Sequence, residues 1–282
     1  MGVKILRWKE SYTNILLILP ALVYVAALSF YPSIDAVYLS FQTPSRHFVL
    51  TNYKELVTFG VYSAIYNTII VTICALALQF FIAMVIASLL TRQFRGRQVF
   101  QVCVLIPYSV ATIVTVYAFS NIFTTPGGYA DAVLHLFGLK AVGWTVYHNY
   151  WLNVLSLIIA DSWKNTPIVA LILTAGMATI PPEIYAAARV DGAGPFARFF
   201  HITMPNLASY IAIALVIRGI SEFNIFAMAL VLFPHVLLTT LAFGLYTSSF
   251  VGLSFSAAVV LLGFVLVFAT IVTIYRNRTQ VK

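Results

Sequence analysis

The chain reads EIYAAARVDGAGPFARFFHITMPNL from Glu183 to Leu207, which is the longest polar interruption in the second half of a very apolar sequence. The segment combines acidic, basic and histidine side chains, and long uncharged runs lie on either side of it. A short segment of mixed charge between two apolar runs offers a surface to which a soluble partner can bind. The function of the chain depends on the structure that this segment forms.

The first half of the segment predicts a short helix. Pro182 suits the first turn of a helix, where its missing N–H has no partner in any case. Glu183 places a negative charge near the positive end of the helix dipole. Three consecutive alanines favour the helix and leave it a small, smooth face. Asp191-Gly192 ends it, because glycine tolerates the left-handed conformation of a helix cap.

The second half predicts another short amphipathic piece. Gly194-Pro195 turns the chain, Phe196 to Met204 has helical spacing of its aromatic residues, and Pro205 opens the next apolar run. An ordinary loop that lies on the lipid headgroups is equally compatible with this local chemistry. Local physics therefore leaves two interpretations open, a docking element and a surface loop.

Composition places the chain in a membrane. It has 282 residues, of which 61% are hydrophobic and 9% charged, and its mean hydropathy is +0.96. Soluble domains carry about 25% charged residues. A spanning helix needs about 20 mostly apolar residues, and the sequence has six such runs, with a break near Phe233-Pro234-His235. The predicted fold is an all-α polytopic membrane protein, one transmembrane domain over residues 1–282, with spans at about 13–31, 64–90, 98–123, 150–178, 207–232 and 251–275.

Basic residues predict the orientation. With six spans, eleven lysines and arginines lie on the side of both termini and three lie on the other side. This bias places both termini and the polar segment, residues 182–205, in the cytoplasm. It also explains the net charge of +8 without nucleic acid. The first run resembles a signal peptide in its basic flank, but it is longer than usual and lacks a small-residue cleavage site.

Motifs of enzymes are absent from the sequence. It contains no G-x-x-x-x-G-K-[ST], no H-E-x-x-H and no G-x-S-x-G. Cys74 and Cys103 both fall in predicted spans, which argues against a structural disulfide or a zinc site. We therefore expect a chain without catalytic residues and without a metal or cofactor of its own.

The segment that opened this section resembles the cytoplasmic coupling motif of ATP-binding-cassette (ABC) importer permeases, E-A-A-x-x-x-G-x9-I-x-L-P. Five positions match at the required spacing, and Met204 replaces the usual leucine. Asp191-Gly192-Ala193 is similar to the corresponding residues of the carbohydrate-uptake branch, and the chain as a whole resembles the maltose-type first subunit. The matching positions are Ala187, Ala188, Gly192, Ile202 and Pro205.

The resemblance implies a type I ABC importer permease fold and a set of partners. These are a second permease subunit, two ATPase subunits that hold ATP and Mg, an external solute-binding protein and a mono-, di- or oligosaccharide. One departure is that the motif's glutamate position is Ala186, and Glu183 lies one helical turn earlier. The implied ATPase-coupling positions are Glu183, Ala186, Ala187, Ala188, Asp191 and Gly192.

Four ionisable residues lie inside or near the predicted spans. Each costs about 3 kcal/mol at a helix centre on insertion scales. Asp161 and Lys164 have i,i+3 spacing, and Arg218 and Glu222 have i,i+4 spacing, so each pair can be offset on its own helix. Such charges usually face a water-filled path, but they can also fasten a helix bundle as ion pairs.

The resemblance also carries over a substrate site on the fourth and fifth spans. Arg218, Ser221, Glu222 and Ile225 form an i, i+3, i+4, i+7 stripe, and Asn224 lies just beside it. Two cations in the set leave open a glycerol phosphate or another anionic solute besides a sugar. The predicted substrate-binding residues are Lys164, Asn165, Ile168, Arg218, Ser221, Glu222 and Ile225.

Two other classes of function compete with an ABC importer. An ion-coupled secondary transporter would use Asp161, Glu222 and a proton gradient, and it too would lack an ATPase motif. An intramembrane enzyme would need a nucleophile-base pair or a metal arrangement, which the sequence does not show. Outside the membrane, residues 124–148 form a loop that is a candidate docking surface for a solute-binding protein.

Overall fold

A computed structural model describes residues 15–42 and 47–280 of the chain, with side chains up to residue 277. Within these residues the chain is helical, and strand-like pairing is limited to an isolated bridge between Gln42 and Phe48. The described helices are α1 (Ile15–Ser40), α2 (Thr51–Glu55), α3 (Val61–Leu90), α4 (Arg97–Ser109), α5 (Thr112–Phe123), α6 (Tyr129–Leu136), α7 (Tyr150–Ala178), α8 (Pro182–Val190), α9 (Pro195–Phe223), α10 (Ala227–Leu232), α11 (Leu238–Thr247) and α12 (Val251–Gln280).

Five of the described helices, α1, α3, α7, α9 and α12, are long and apolar enough to cross a membrane. The pair α4 and α5 makes a sixth candidate if it forms one broken span, and its two halves meet at 91°. The all-α polytopic fold is therefore confirmed. Residues 13 and 14 of the first predicted span lie outside the described residues.

The third predicted span, 98–123, is not one continuous helix. Val110 and Ala111 are extended between α4 and α5, with ψ angles of 133° and 139°. Pro107 lies inside the last turn of α4, where it removes the backbone donor for the carbonyl four residues earlier and so weakens the helix just before the bend. The sequence pattern does not show this bend, since residues on both sides of it are mostly apolar.

The fifth predicted span, 207–232, differs from the structure at both ends. Helix α9 starts at Pro195 and passes through Pro205 because a π-helical turn, Phe199–Thr203, precedes the proline. The Met204 N–H bonds to the Phe199 carbonyl, five residues back. At the other end α9 stops at Phe223, and α10 is a separate helix. The predicted second amphipathic piece is thus the first part of a spanning helix.

The chain divides into two compact units. The first takes the described part of Met1–Phe59 with Ala242–Val259, and the second takes the described part of Gly60–Leu241 and Val260–Lys282. In the first unit, Asn52 donates to the carbonyls of Ser40 and Gln42, both at 2.9 Å. The second unit holds both candidate sites described below.

In the second unit, α9 packs closely against its neighbours at two glycines. A Cβ on Gly176 of α7 would lie 2.6 Å from the Tyr210 ring of α9. A Cβ on Gly219 of α9 would lie 2.0 Å from the Phe268 ring of α12. Small residues at helix contacts let backbones approach each other, as is usual in membrane bundles. The two glycines therefore set how closely α9 approaches α7 and α12.

Replacing Gly219 by alanine tests this packing. The added methyl group collides with a rigid aromatic ring, so we expect Gly219→Ala to lower the free energy of unfolding by about 1–3 kcal/mol. Thermal unfolding of the purified full chain in detergent measures the loss. Gly263→Ala on α12 is the matched control, because its Cβ meets nothing within 4 Å. Equal melting temperatures for the two variants contradict the packing described above.

Candidate functional site

Helix α8 forms where the sequence predicts it and ends as predicted. Glu183 lies in its first turn, and Gly192 follows it with a φ of +77°. The Ala193 N–H bonds to the Ala188 carbonyl at 2.8 Å, and the Gly192 N–H bonds to the Arg189 carbonyl at 3.2 Å. This pattern satisfies carbonyls at the helix end through a left-handed residue, for which glycine carries no steric penalty.

One face of α8 is fully available to a partner. Glu183, Ala186, Ala187 and Val190 have i, i+3, i+4, i+7 spacing and are all exposed. We call these four residues the coupling stripe. Val190 is 88% exposed, and Phe196, just beyond the turn, is 81% exposed. Apolar side chains this exposed need a cover, which another protein or the lipid surface can supply.

The opposite face of α8 is tied to the membrane bundle. Tyr185, half-buried, shares a hydrogen bond of 2.8 Å with the Thr203 hydroxyl in the π-helical turn of α9. Pro181 connects α8 to the end of α7 through a single turn, and Ala193 and Gly194 connect it to α9. Helix α8 is therefore linked to both α7 and α9.

A second feature is a cluster of buried polar side chains at the centre of the bundle. Gln79 of α3 is 0% exposed, Asp161 of α7 is 4% exposed, and Arg218 and Glu222 of α9 are 7% and 1% exposed. We call these four residues the polar cluster. Ionised groups are this deeply buried in proteins only when they are paired or hydrogen-bonded.

Gln79 and Arg218 hold the cluster together. The Gln79 Nε2 donates to Asp161 Oδ2 and to Glu222 Oε1, both at 2.8 Å. Arg218 Nε donates to Gln79 Oε1 at 3.3 Å, and Arg218 Nη2 lies 3.6 Å from Asp161 Oδ2. Arg218 also forms a direct ion pair with Glu222. The cluster thus fastens α3, α7 and α9 to one another.

The two predicted ion pairs have different outcomes. The pair of Arg218 with Glu222 is confirmed. The pair of Asp161 with Lys164 is wrong, because Asp161 pairs with Arg218 on another helix. Lys164 instead donates to the Val110 carbonyl at the break between α4 and α5. The reason is that the carbonyls at the end of α4 lack partners within the helix and carry the negative end of its dipole, which attracts a cation.

The structure divides the predicted substrate residues into three groups. Arg218 and Glu222 are buried in the polar cluster. Lys164, Asn165 and Ile168 are half-buried on α7, and the Asn165 amide donates to Asp161 Oδ1 at 2.9 Å. Ser221 is exposed on α9, and so is Asn224.

Ile225 requires a correction. The predicted stripe assumes that the helix continues through it, but α9 ends at Phe223 and Ile225 packs in a hydrophobic core with Met228 and Leu232. The helix also places Ser221 on its exposed side and Arg218 on its buried side. The four residues therefore do not share one accessible face.

Gln79 is the functional residue that sequence reasoning missed. It lies in an uncharged run, so a search for charged residues passes over it. It is nevertheless one of two amide side chains in the predicted span 64–90, together with Asn67. A buried amide in lipid needs partners of its own, so this position could have been recognised from that fact.

The geometry described so far belongs to a known class of membrane protein. A chain in the crystal structure of a bacterial alginate ABC transporter, in complex with its alginate pentasaccharide-bound periplasmic protein, superimposes with a TM-score of 0.82. The alignment covers 96% of each chain at 19% identity. The fold is therefore that of a type I ABC importer permease.

Sequence comparison identifies the family. Residues 79–281 match the model of the binding-protein-dependent transport system inner membrane component, and this chain belongs to that family. Its members are transport components rather than enzymes. The trehalose/maltose transport system permease protein MalF of Thermococcus litoralis is 29% identical over 236 residues, covering 80% of this chain and 79% of that protein. The sulfoquinovosyl glycerol transport system permease protein SmoG of Agrobacterium fabrum is 28% identical over 276 residues, which cover 92% of this chain and 89% of that protein.

Removing the bridging amide tests the polar cluster. Gln79→Leu removes the amide that donates to both buried carboxylates and leaves Arg218 as the only partner they still share in the cluster, so we expect a loss of about 1–3 kcal/mol in the free energy of unfolding. Thermal unfolding of the full chain in detergent measures it. Thr72→Val is the control on the same helix, because the buried Thr72 hydroxyl has no hydrogen-bond partner among the described residues. A loss as large for Thr72→Val as for Gln79→Leu argues against the bridging role.

Proposed function

We propose that this chain is one of two permease subunits in an ATP-driven importer that moves a sugar across the cytoplasmic membrane. The coupling stripe of α8 is the observation that supports this most. Small side chains let a partner's backbone approach closely, and the exposed Val190 adds apolar area to bury. Two ATPase subunits, which bind ATP and Mg, would each hold the coupling helix of one permease subunit in a groove.

Some of the proposed coupling positions lie on the contact face of α8, and the others form the C-terminal end of this helix. Glu183, Ala186 and Ala187 lie on the exposed stripe, and Ala188 lies on the half-buried side. Asp191 and Gly192 form the helix end. Glu183 shares the stripe with Ala186, which stands at the motif's glutamate position, so Glu183 is the acid placed to meet a basic residue of the ATPase.

The proposed orientation places both termini and α8 in the cytoplasm. It rests on the distribution of lysine and arginine, eleven residues against three. In this orientation the loop that contains α6 lies outside the membrane. There the buried Asp131 accepts from the Trp144 indole at 3.0 Å and from the Val142 N–H at 3.1 Å, and Leu136 and Phe137 are exposed. The loop is thus a fixed, apolar surface on which a solute-binding protein can dock.

A sugar is the substrate class that the observations favour. The two relatives and the alginate transporter described above are all named for carbohydrates. Ser221 and Asn224 present polar groups on the outer face of α9, and polar side chains at membrane depth usually face a water-filled path or a partner helix. We assign substrate contact to this face together with Lys164, Asn165 and Ile168 of α7. Arg218 and Glu222 lie on the buried side of α9 and hold this helix in place.

The described contacts weigh against the two alternatives. Arg218 is already paired with two carboxylates, so in the described state it offers no unpaired charge to an anionic solute such as a glycerol phosphate. A proton-coupled transporter needs an accessible carboxylate in its path, but Asp161 and Glu222 are buried in ion pairs with Arg218. Arg218 and both carboxylates therefore serve the bundle in the described state.

A bulky charge on the coupling stripe tests the ATPase contact. Ala187→Arg should obstruct a close backbone approach, and we expect sugar uptake to fall at least about ten-fold, equivalent to 1.4 kcal/mol of lost coupling. Uptake and ATP hydrolysis are measured together on the assembled transporter in proteoliposomes. Ala187→Ser, which adds only a small hydroxyl, is the control. Uptake that stays coupled to hydrolysis in Ala187→Arg shows that α8 does not contact the ATPase at this face.

A change on the exposed face of α9 tests the substrate assignment. Ser221→Leu removes one hydrogen-bonding group, so we expect the concentration of sugar that half-saturates uptake to rise by up to about ten-fold. Ser63→Leu, the same change at an exposed position of α3, controls for added apolar surface. The assignment fails if both variants saturate at the same sugar concentration as the wild type.

A further inference from the structure

Three arginines surround one cavity beside the coupling helix. The cavity has a volume of about 530 Å³ and is lined by Arg92, Arg189 and Arg198, among others. Arg92 follows the end of α3, Arg189 lies in α8, and Arg198 lies in the first turn of α9. Three positive charges from three separate segments therefore converge on one space.

These arginines have no acidic partner among the described residues. Both ion pairs found there involve Arg218, and the cavity lining contains no aspartate or glutamate. The Arg198 Nε is buried and has no hydrogen-bond partner in the described part of the chain. Like charges repel one another, and a buried donor without an acceptor is costly. An anion in the cavity removes both penalties.

The shape and chemistry of the cavity favour a phosphate. The planar guanidinium group presents paired N–H donors that match two phosphate oxygens. Other parts of the wall are apolar, and they include Met177, Ile180 and Phe199. A wall that is cationic in one part and apolar in another suits a ligand with a charged head and a hydrocarbon body.

The position of the cavity indicates the source of this phosphate. It lies at the end of α3 and the end of α7, where both candidate spans stop. In the proposed orientation this is the inner membrane surface, where anionic lipids meet basic pockets between spanning helices. Arg92 and Arg189 are exposed, so a headgroup can reach them.

We propose that this cavity binds the phosphate of an anionic phospholipid headgroup, with Arg92, Arg189 and Arg198 as its ligands. The bound phosphate joins the end of α3 to α8 and to the start of α9. It thereby sets the position of the coupling helix relative to the bundle. The inference depends on the proposed orientation of the chain and is independent of the solute transported.

Lipid-dependent thermal unfolding of the full chain in neutral detergent tests the proposal. Phosphatidylglycerol should raise the melting temperature by several degrees, and added salt should reduce the shift because the contact is ionic. Phosphatidylcholine and inorganic phosphate at the same concentration should produce little shift. Arg198→Gln and Arg92→Gln should each remove most of the phosphatidylglycerol effect.

Arg95→Gln is the matched control, because it removes the same charge from an exposed position that does not line the cavity. It should retain the wild-type shift. If Arg198→Gln does not fold, Arg92→Gln remains decisive, because Arg92 is exposed and lies outside the helices. The proposal is overturned if phosphatidylcholine equals phosphatidylglycerol or if Arg95→Gln loses as much as Arg92→Gln. A full shift from inorganic phosphate, or loss of the lipid on binding of the ATPase subunits, also overturns it. Transport is not measured in this assay, so its failure leaves the importer function untouched.

Discussion

A guanidinium group buried among spanning helices must find its partners inside the protein, because lipid supplies none. Arg218 meets this constraint by reaching Asp161 on α7, Glu222 on its own helix and Gln79 on α3. Removing one partner of such a group leaves a buried charge uncompensated, which costs far more than the pair contributes by itself. The relative positions of α3, α7 and α9 therefore depend on this one side chain.

This constraint explains how a displacement of α8 can reach the spanning helices. Helix α8 connects α7 to α9, which are also the two helices that Arg218 joins at membrane depth. A push on the coupling stripe therefore acts on a pair of helices already fastened to each other, and on α3 through Gln79. Alternating access by rigid-body movement requires elements that move together. The Tyr185–Thr203 hydrogen bond connects α8 to α9 directly.

Much of the fold could be predicted from the sequence, and so could the coupling helix, because both depend on local patterns. Uncharged runs indicate where helices can cross the membrane. Pro182 and Gly192 are local signals for the beginning and the end of α8. The partner of Asp161 could not be predicted in the same way. The i,i+3 spacing along α7 predicted Lys164 as the partner of Asp161. Tertiary packing instead places Arg218 of α9 beside Asp161, and Lys164 donates to the Val110 carbonyl after α4. The bend at Val110 and the passage of α9 through Pro205 also depend on backbone geometry that the apolar pattern does not show.

The central claim is that a nucleotide-driven partner powers this permease through α8. Sugar uptake into proteoliposomes tests it directly, with the two permease subunits and the solute-binding protein present throughout and the ATPase subunits added or omitted. We expect uptake only when the ATPase subunits and ATP are both present, at a rate that an imposed proton gradient does not change. Uptake that continues without the ATPase subunits and follows the proton gradient would contradict it.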